Sequence, residues 1–104
     1  MNQQQLAHHV FFTLKDRTPE ATAALVAACH KYLNVQPGIV YFAAGPLCKE
    51  LARPVNDLDF DVNLTIVFDG KASHDDYQTD PTHNLFIDEN KATWAKVRVF
   101  DSYV

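Results

Sequence analysis

The sequence lacks the features that mark several classes of protein. Its 104 residues include only two cysteines, Cys29 and Cys48, which are too few for a disulfide framework. It has no surplus of basic residues, because 9 Lys and Arg stand against 13 Asp and Glu, giving a net charge of −4. No apolar run reaches the ~18 residues that a membrane span requires. We therefore expect neither nucleic acid nor a membrane as a partner.

The composition is that of an ordinary soluble globular protein. Hydrophobic residues make up 47% of the chain and charged residues 21%, which argues against disorder. The length gives room for one core, so we predict a single domain over residues 1–104. The polar segment Met1–Gln5 lacks the cationic and apolar parts of a signal peptide. We accordingly predict a cytoplasmic, reducing location, with Cys29 as a buried free thiol.

The hydrophobic periodicity alternates between that of strands and that of helices. Thr18 and Asp80 are each followed by proline and are typical of helix caps, and a period of two is clearest before Asp69. The predicted elements are a strand 6–14, a helix from Thr18 to about Leu33, a strand Ile39–Ala44, a loop 46–57, a strand Asp59–Phe68, a helical turn Lys71–Thr79, a helix from Pro81 to near Ala92, and a strand Trp94–Tyr103.

This order of elements predicts an α+β ferredoxin-like sandwich, with a four-stranded antiparallel sheet and helices on one face. Helices on one face would leave the other exposed, with apolar residues such as Phe11 or Val67 on it. An exposed apolar patch of that size is uncommon on a monomer. We therefore predict a homodimer that pairs through the open sheet face about a two-fold axis.

Five histidines are the first candidates for chemistry, because imidazole exchanges protons near neutral pH. His8 and His9 point to opposite faces of the first strand, so one of them at most lines a given cavity. His8 shares its face with core-forming residues and is open to a structural reading as well as a functional one. His30 is predicted to be a favourable charge at a helix C-terminus, and His74 a solvent-exposed residue in a polar turn.

His83 is the histidine with the most informative surroundings. The turn at Pro81 can fold the side chains of Tyr77 and His83 back toward each other. His83 and Phe86 are three residues apart and share a helix face, so His83 should point partly inward. An inward imidazole beside a tyrosine hydroxyl is a workable general acid–base pair. A histidine that only buttresses the turn fits the same pattern.

At this segment the sequence resembles the Dabb family, the stress-responsive dimeric α/β-barrel proteins. The family's helix motif is similar to Y-x-x-H-P-x-H-x-x-F. Tyr77, Pro81, His83 and Phe86 match it in register, whereas Asp80 stands where the first histidine is usual. Further resemblance lies in His8-x-Val10-x-Phe12, the Leu14-Lys15-Asp16 turn, Pro37-Gly38, the strand Phe60–Phe68 and Val97-x-Val99-Phe100-Asp101.

The resemblance implies a dimeric α/β barrel with a pocket between the sheet and the helices of each subunit. It implies that Tyr77 and His83 are catalytic, as in the polyketide-cyclase members. The small-residue face of the first helix would fit a hollow at that pocket. The residues that it implies for the pocket wall are His8, Val10, Phe12, Val62, Leu64, Phe86, Trp94, Val97 and Val99.

The resulting hypothesis is cyclase- or lyase-like acid–base chemistry on a small hydrophobic, oxygenated molecule, with no cofactor. His83 would act as the base, Tyr77 would hold the developing oxyanion, and His8 would position a substrate oxygen. A non-catalytic stress or ligand-binding homodimer with structural histidines is the main alternative. A cofactor-free monooxygenase is a further one, as is a metal site formed by His74, Asp75, Asp76, Asp80 and His83.

Overall fold

A computed structural model describes residues 4–104, which form four strands, three helices and one short 3-10 turn. The first three residues, on which part of the expectation about a signal peptide falls, lie outside the described residues. The elements are β1 (Leu6–Leu14), α1 (Pro19–Leu33), β2 (Ile39–Pro46), β3 (Val62–Phe68), α2 (Lys71–Thr79), α3 (Pro81–Asn90), a 3-10 turn (Lys91–Thr93) and β4 (Trp94–Tyr103).

The strands form one antiparallel sheet in the order β2-β3-β1-β4. The crossover through α1 joins β1 to β2 and passes over β3, which lies between them in the sheet. The crossover through α2 and α3 joins β3 to β4 and passes over β1 in the same way. This is the split βαβ arrangement of the ferredoxin-like fold, and it confirms the predicted fold class. It also places β1 at the centre of the sheet and β4 at one edge.

The core lies between the sheet and the helices. Alternate residues of β3 face the helices and are fully buried, as the period of two predicted for this strand. From α1, Leu25, Cys29 and Leu33 pack against them at helical spacing. Cys29 is buried and free, as predicted, and burial raises the pKa of its thiol to about 12.

The start of the third strand was predicted wrongly. The strand begins at Val62 and not at Asp59, because the chain bends at Asp61. The Asp61 carboxylate accepts a hydrogen bond from the backbone N–H of Leu14 at 2.8 Å and pairs with Arg17, which fixes this bend at the end of β1. Phe60 therefore leaves the helix-facing alternation and packs on Phe11, with ring centroids 4.9 Å apart.

Other boundaries also differ from the predictions. The second strand extends two residues further, to Pro46, because its backbone continues to pair with β3. The predicted turn at residues 71–79 is the nine-residue helix α2. The following helix ends at Asn90 and tightens into the 3-10 turn before β4. The last strand, by contrast, has the predicted bounds.

The open face of the sheet carries aromatic side chains. Tyr41 and Phe100 are 58% and 54% exposed, and Phe11 lies between Phe60 and Phe100. The loop over residues 47–61 crosses part of this face and is tied to β4 by an ion pair between Asp57 and Arg98. Between residues 4 and 104, no helix combines the length and the apolarity needed to cross a bilayer.

Candidate functional site

A cavity of about 180 Å³ lies beside β4, between the sheet and the helices α2 and α3. The volume is below the ~300–1,000 Å³ of most ligand pockets, so it suits a small molecule. Most of its wall is apolar. The lining residues are His8, Val10, Phe12, Leu64, Tyr77, Gln78, His83, Phe86, Ile87, Trp94, Val97 and Val99.

The turn between α2 and α3 brings two of these side chains together. The Asp80 carboxylate accepts a hydrogen bond from the backbone N–H of Thr82 at 2.7 Å and caps α3, and Pro81 occupies the first helical position. Asp80 alone therefore separates α2 from α3. As a result the rings of Tyr77 and His83 lie 4.5 Å apart, centroid to centroid.

Two polar atoms of the cavity wall have no hydrogen-bond partner. His83 Nδ1 and Trp94 Nε1 are buried, and neither finds a donor or acceptor among residues 4–104. Buried polar atoms are usually hydrogen-bonded, because an unpaired one loses its bond to water without replacement. A ligand with an acceptor oxygen could satisfy the indole N–H, and an acidic proton could satisfy the imidazole.

Burial favours the neutral forms of both His83 and Tyr77. Desolvation lowers the pKa of His83, and the charge of His8 lowers it further, whereas the Asp80 carboxylate opposes the shift. Desolvation likewise raises the pKa of the Tyr77 hydroxyl. At neutral pH the site thus holds a neutral imidazole, which can accept a proton, and a neutral phenol, which can donate a hydrogen bond.

His8 is fixed at the other end of the cavity by the edge strand. It lies opposite Asp101 in the pairing of β1 with β4, so the two side chains share the helix-facing side. His8 Nδ1 and Asp101 Oδ1 are 2.5 Å apart, and the His8 ring lies 5.8 Å from that of Tyr77. Burial lowers the pKa of His8, and its bond to Asp101 opposes that shift.

The structure brings most of the predicted site residues together. Tyr77, His83 and His8 line one cavity with all but one of the predicted wall residues. The exception is Val62, which is fully buried opposite Phe12 and does not reach the cavity. Sequence reasoning missed Gln78 and Ile87. The helical period could have found Ile87, which follows His83 by four residues.

The predicted hollow beneath the small face of α1 does not belong to this cavity. No residue of α1 lines the cavity at His83. A larger space of about 540 Å³ lies against Ala23, Val26 and Ala27, on the side of α1 that faces Pro46 and Leu47. None of the residues of the predicted buried stripe, namely Ala21, Leu25, Ala28 and Tyr32, lines this space, which is also separate from the paired Tyr77 and His83.

His74 is not the exposed turn residue that the sequence predicted. Because α2 is a full helix, His74 and Tyr77 share its inner face, and the His74 ring lies 5.1 Å from that of His8. The metal set suggested by the sequence is not gathered either. Across residues 4–104, the one group of three or more ligating side chains that converge is His8, His74 and Asp101.

Comparisons with known proteins agree on the fold. The family model described as Stress responsive A/B Barrel Domain (Dabb) matches residues 6–104. A Dabb family protein from Mesorhizobium loti, described as having a ferredoxin-like fold, has a TM-score of 0.78 at 20% identity, covering 96% of each chain. Among proteins with curated descriptions, none matches this chain in sequence.

Two further solved structures show the range of proteins that share this fold. A dimeric ferredoxin-like protein of unknown function from Thermobifida fusca has a TM-score of 0.80 at 17% identity, covering 100% of this chain and 94% of the other. A hydroxynitrile lyase from Passiflora edulis has a TM-score of 0.77 at 18% identity, covering 100% and 95%. Identities this low establish the shared fold and leave the activity to the site.

Proposed function

Since the chain belongs to the Dabb family of stress-responsive A/B barrel domains, we propose that it is a general acid–base catalyst for a small, hydrophobic, oxygenated molecule. One observation carries the proposal. The neutral His83 imidazole, with Nδ1 unpartnered, stands 4.5 Å from the Tyr77 ring in an apolar cavity. A base and a hydrogen-bond donor in an apolar pocket can together remove a proton from the carbon next to a carbonyl group or from a hydroxyl group.

The chemical step divides between the two side chains. His83 accepts a proton either from a C–H beside a carbonyl, whose electron pair then moves onto the carbonyl oxygen, or from an O–H, whose electron pair stays on its own oxygen. The Tyr77 hydroxyl donates a hydrogen bond to that oxygen and so stabilises the negative charge. His83 then returns its proton to the new carbon or leaving group. His8, oriented by Asp101, holds a second oxygen of the substrate.

The cavity restricts the class of substrate. Its small volume and apolar walls favour one ring or a short chain, and the unpartnered Trp94 N–H favours an acceptor oxygen at that end. The fold is also that of a hydroxynitrile lyase, so lyase chemistry is compatible with it. Cyclase- or lyase-like reactions, which begin with such a proton transfer, are therefore the class that we propose.

The protein acts as a homodimer in this proposal, with the open sheet faces of two subunits packed against each other. The aromatic residues on that face and the dimeric state of a relative with the same fold support this arrangement. The cavity lies on the helix side of the sheet, so pairing leaves it accessible.

The proton transfer can be tested without knowing the natural substrate. 5-Nitrobenzisoxazole is a small, flat molecule of two fused rings, and its isoxazole ring opens to a coloured cyanophenolate when a base removes its one acidic C–H proton. We expect the protein to accelerate this reaction over buffer, and His83→Gln to lower the rate by about 10²-fold, the range typical of a lost general base. Tyr77→Phe should also lower it, because the departing oxygen loses a hydrogen bond.

His9→Gln is the matched control, because His9 adjoins His8 but bonds to Thr65 on the opposite sheet face. It should retain the wild-type rate. An equal rate in wild type and His83→Gln would contradict the proposal. Binding of the probe without turnover would instead favour the alternative of a ligand-binding protein with structural histidines.

A further inference from the structure

A second cluster of reactive side chains lies at the end of the sheet where β1 pairs with the last residues of β4. One ligating atom each from His8, His74 and Asp101 lies within 4.8 Å of both others. Three separate elements supply them, namely β1, α2 and β4. The acid–base proposal uses His8 only to position the substrate and does not use His74 at all.

The fold holds these groups in place without help from a loop. His8 and Asp101 are directly opposite in the pairing of β1 with the edge strand β4, so their side chains stand side by side on one face. His74 shares the inner face of α2 with Tyr77, which is fully buried. A site built on strands and a helix keeps its geometry better than one built on a flexible loop.

The environment of His74 is that of a ligand histidine. Its Nδ1 lies 3.2 Å from the Asp75 carboxylate, which is itself held at 2.7 Å by Lys71. When Nδ1–H donates to Asp75, the proton is fixed on Nδ1 and Nε2 carries the electron pair. The Gln78 amide nitrogen lies 3.4 Å from this Nε2 and would give up that contact to a bound ion. Metal-bound histidines are commonly oriented by such a carboxylate on their other nitrogen.

The chemistry of the cluster selects the ion. Two imidazoles and one carboxylate suit zinc and neighbouring divalent transition metals, whereas calcium and magnesium prefer oxygen ligands throughout. His8 is buried, and the Asp101 side chain is 41% exposed. The site is therefore buried at the His8 side and open to solvent at the Asp101 side, which leaves space for water as a further ligand.

We propose that His8, His74 and Asp101 bind a divalent transition-metal ion of the zinc class, with water completing its coordination. Zinc ligands about 2.1 Å from the ion stand about 3.4 Å from one another in a tetrahedral site. The three groups must therefore rearrange: the ion takes the place of the His8–Asp101 hydrogen bond, and Asp101, on the exposed edge strand, moves outward. The bound ion would tie β4 and β1 to α2 beside the cavity that His8 lines.

The probe is the metal alone, added to the untagged full chain after treatment with a chelator. We expect one Zn²⁺ per chain by calorimetry, a visible absorption band with Co²⁺, and a rise in melting temperature with Zn²⁺, because the ion binds the folded state. His74→Ala should weaken Zn²⁺ binding by about 100-fold or more. Asp75→Asn should weaken it by about 10-fold, the effect typical of a lost orienting partner.

His9→Ala is the matched control, since it removes a neighbouring histidine that points away from the cluster. It should bind Zn²⁺ like the wild type. Asp101→Asn changes an exposed side chain, so it keeps the test available if His74→Ala does not fold. Absence of binding to the folded wild type would overturn the site, as would affinity that is unchanged in both His74→Ala and Asp101→Asn. Because binding is read without turnover, this result stands apart from the fate of the acid–base proposal.

Discussion

His83 illustrates how one half-buried side chain links stability to pH. Desolvation holds its pKa below the ~6.5 of an unfolded chain, with the charges of His8 and His74 adding to the shift and Asp80 opposing it. Above both pKa values the side chain is neutral in both states and contributes nothing. As the pH falls through about 6.5, the unfolded state takes up the proton first, so the free energy of unfolding decreases until the folded pKa is passed.

We therefore predict that the protein loses stability toward urea as the pH is lowered from about 7.5 to about 5.5. His83→Gln should lose less over the same range, because a side chain that does not titrate cannot favour the unfolded state. His30→Gln, which removes a histidine that packs on Phe42 outside the cavity, should follow the wild-type curve. Parallel curves for His83→Gln and wild type would show that His83 titrates alike in both states.

At the scale of the element, the N-terminal cap of α1 shows how much one residue contributes to the stability of a helix. The Thr18 hydroxyl accepts a hydrogen bond from the backbone N–H of Ala21 at 3.2 Å, and Pro19 follows it. Thr18→Ala leaves that N–H without its partner and should lower the free energy of unfolding by about 1 kcal/mol, measured by urea denaturation.

Thr22→Ala is the control for this prediction. It makes the same chemical change one turn later, where the residue is inside the helix and alanine has the higher helix propensity. We expect its stability to be equal to or slightly above that of the wild type. A similar loss of stability in both variants would mean that packing of the threonine side chains, and not the cap hydrogen bond, stabilises this end of α1.

The elements that could be predicted from the sequence are those whose signals are local. β1, α1 and β4 have the predicted bounds, because alternation, the Thr18 cap and the turn residues all lie within a few positions. The start of β3 could not be predicted, since it depends on the Asp61 carboxylate reaching the backbone of Leu14, 47 residues away. Likewise, the pairing of His8 with Asp101 comes from strand register across 93 residues.

The features of the site likewise fall into those that the local sequence predicts and those that depend on the tertiary fold. The proximity of Tyr77 and His83 follows from one proline turn and could be predicted from the segment itself. The inward position of His74 could not, because a polar segment such as Lys71–Thr79 reads as a surface turn until a sheet is placed beneath it. The family resemblance gave the wall residues, and only Val62 among them lies behind the cavity surface.

For the whole molecule, the open sheet face is the surface through which we expect two copies of the chain to pair. Phe100 and Tyr41 are more than half exposed on this face, and a stable interface of about 1,200–2,000 Å² would bury them. We predict a dimer by sedimentation equilibrium and a monomer for Phe100→Asp, because each copy of the symmetric interface would then bury an unpaired charge.

Leu85→Asp is the matched control, since Leu85 is 46% exposed but lies on α3, on the opposite side of the sheet. It should remain dimeric, and a monomeric Leu85→Asp or a dimeric Phe100→Asp would place the interface elsewhere.

The monomeric Phe100→Asp variant also tests whether a single chain holds the complete site. The cavity is lined by residues of a single chain, from the helix side of the sheet. Folded, monomeric Phe100→Asp should therefore keep the rate of the benzisoxazole reaction, whereas a loss of rate on dissociation would mean that the partner subunit completes the site.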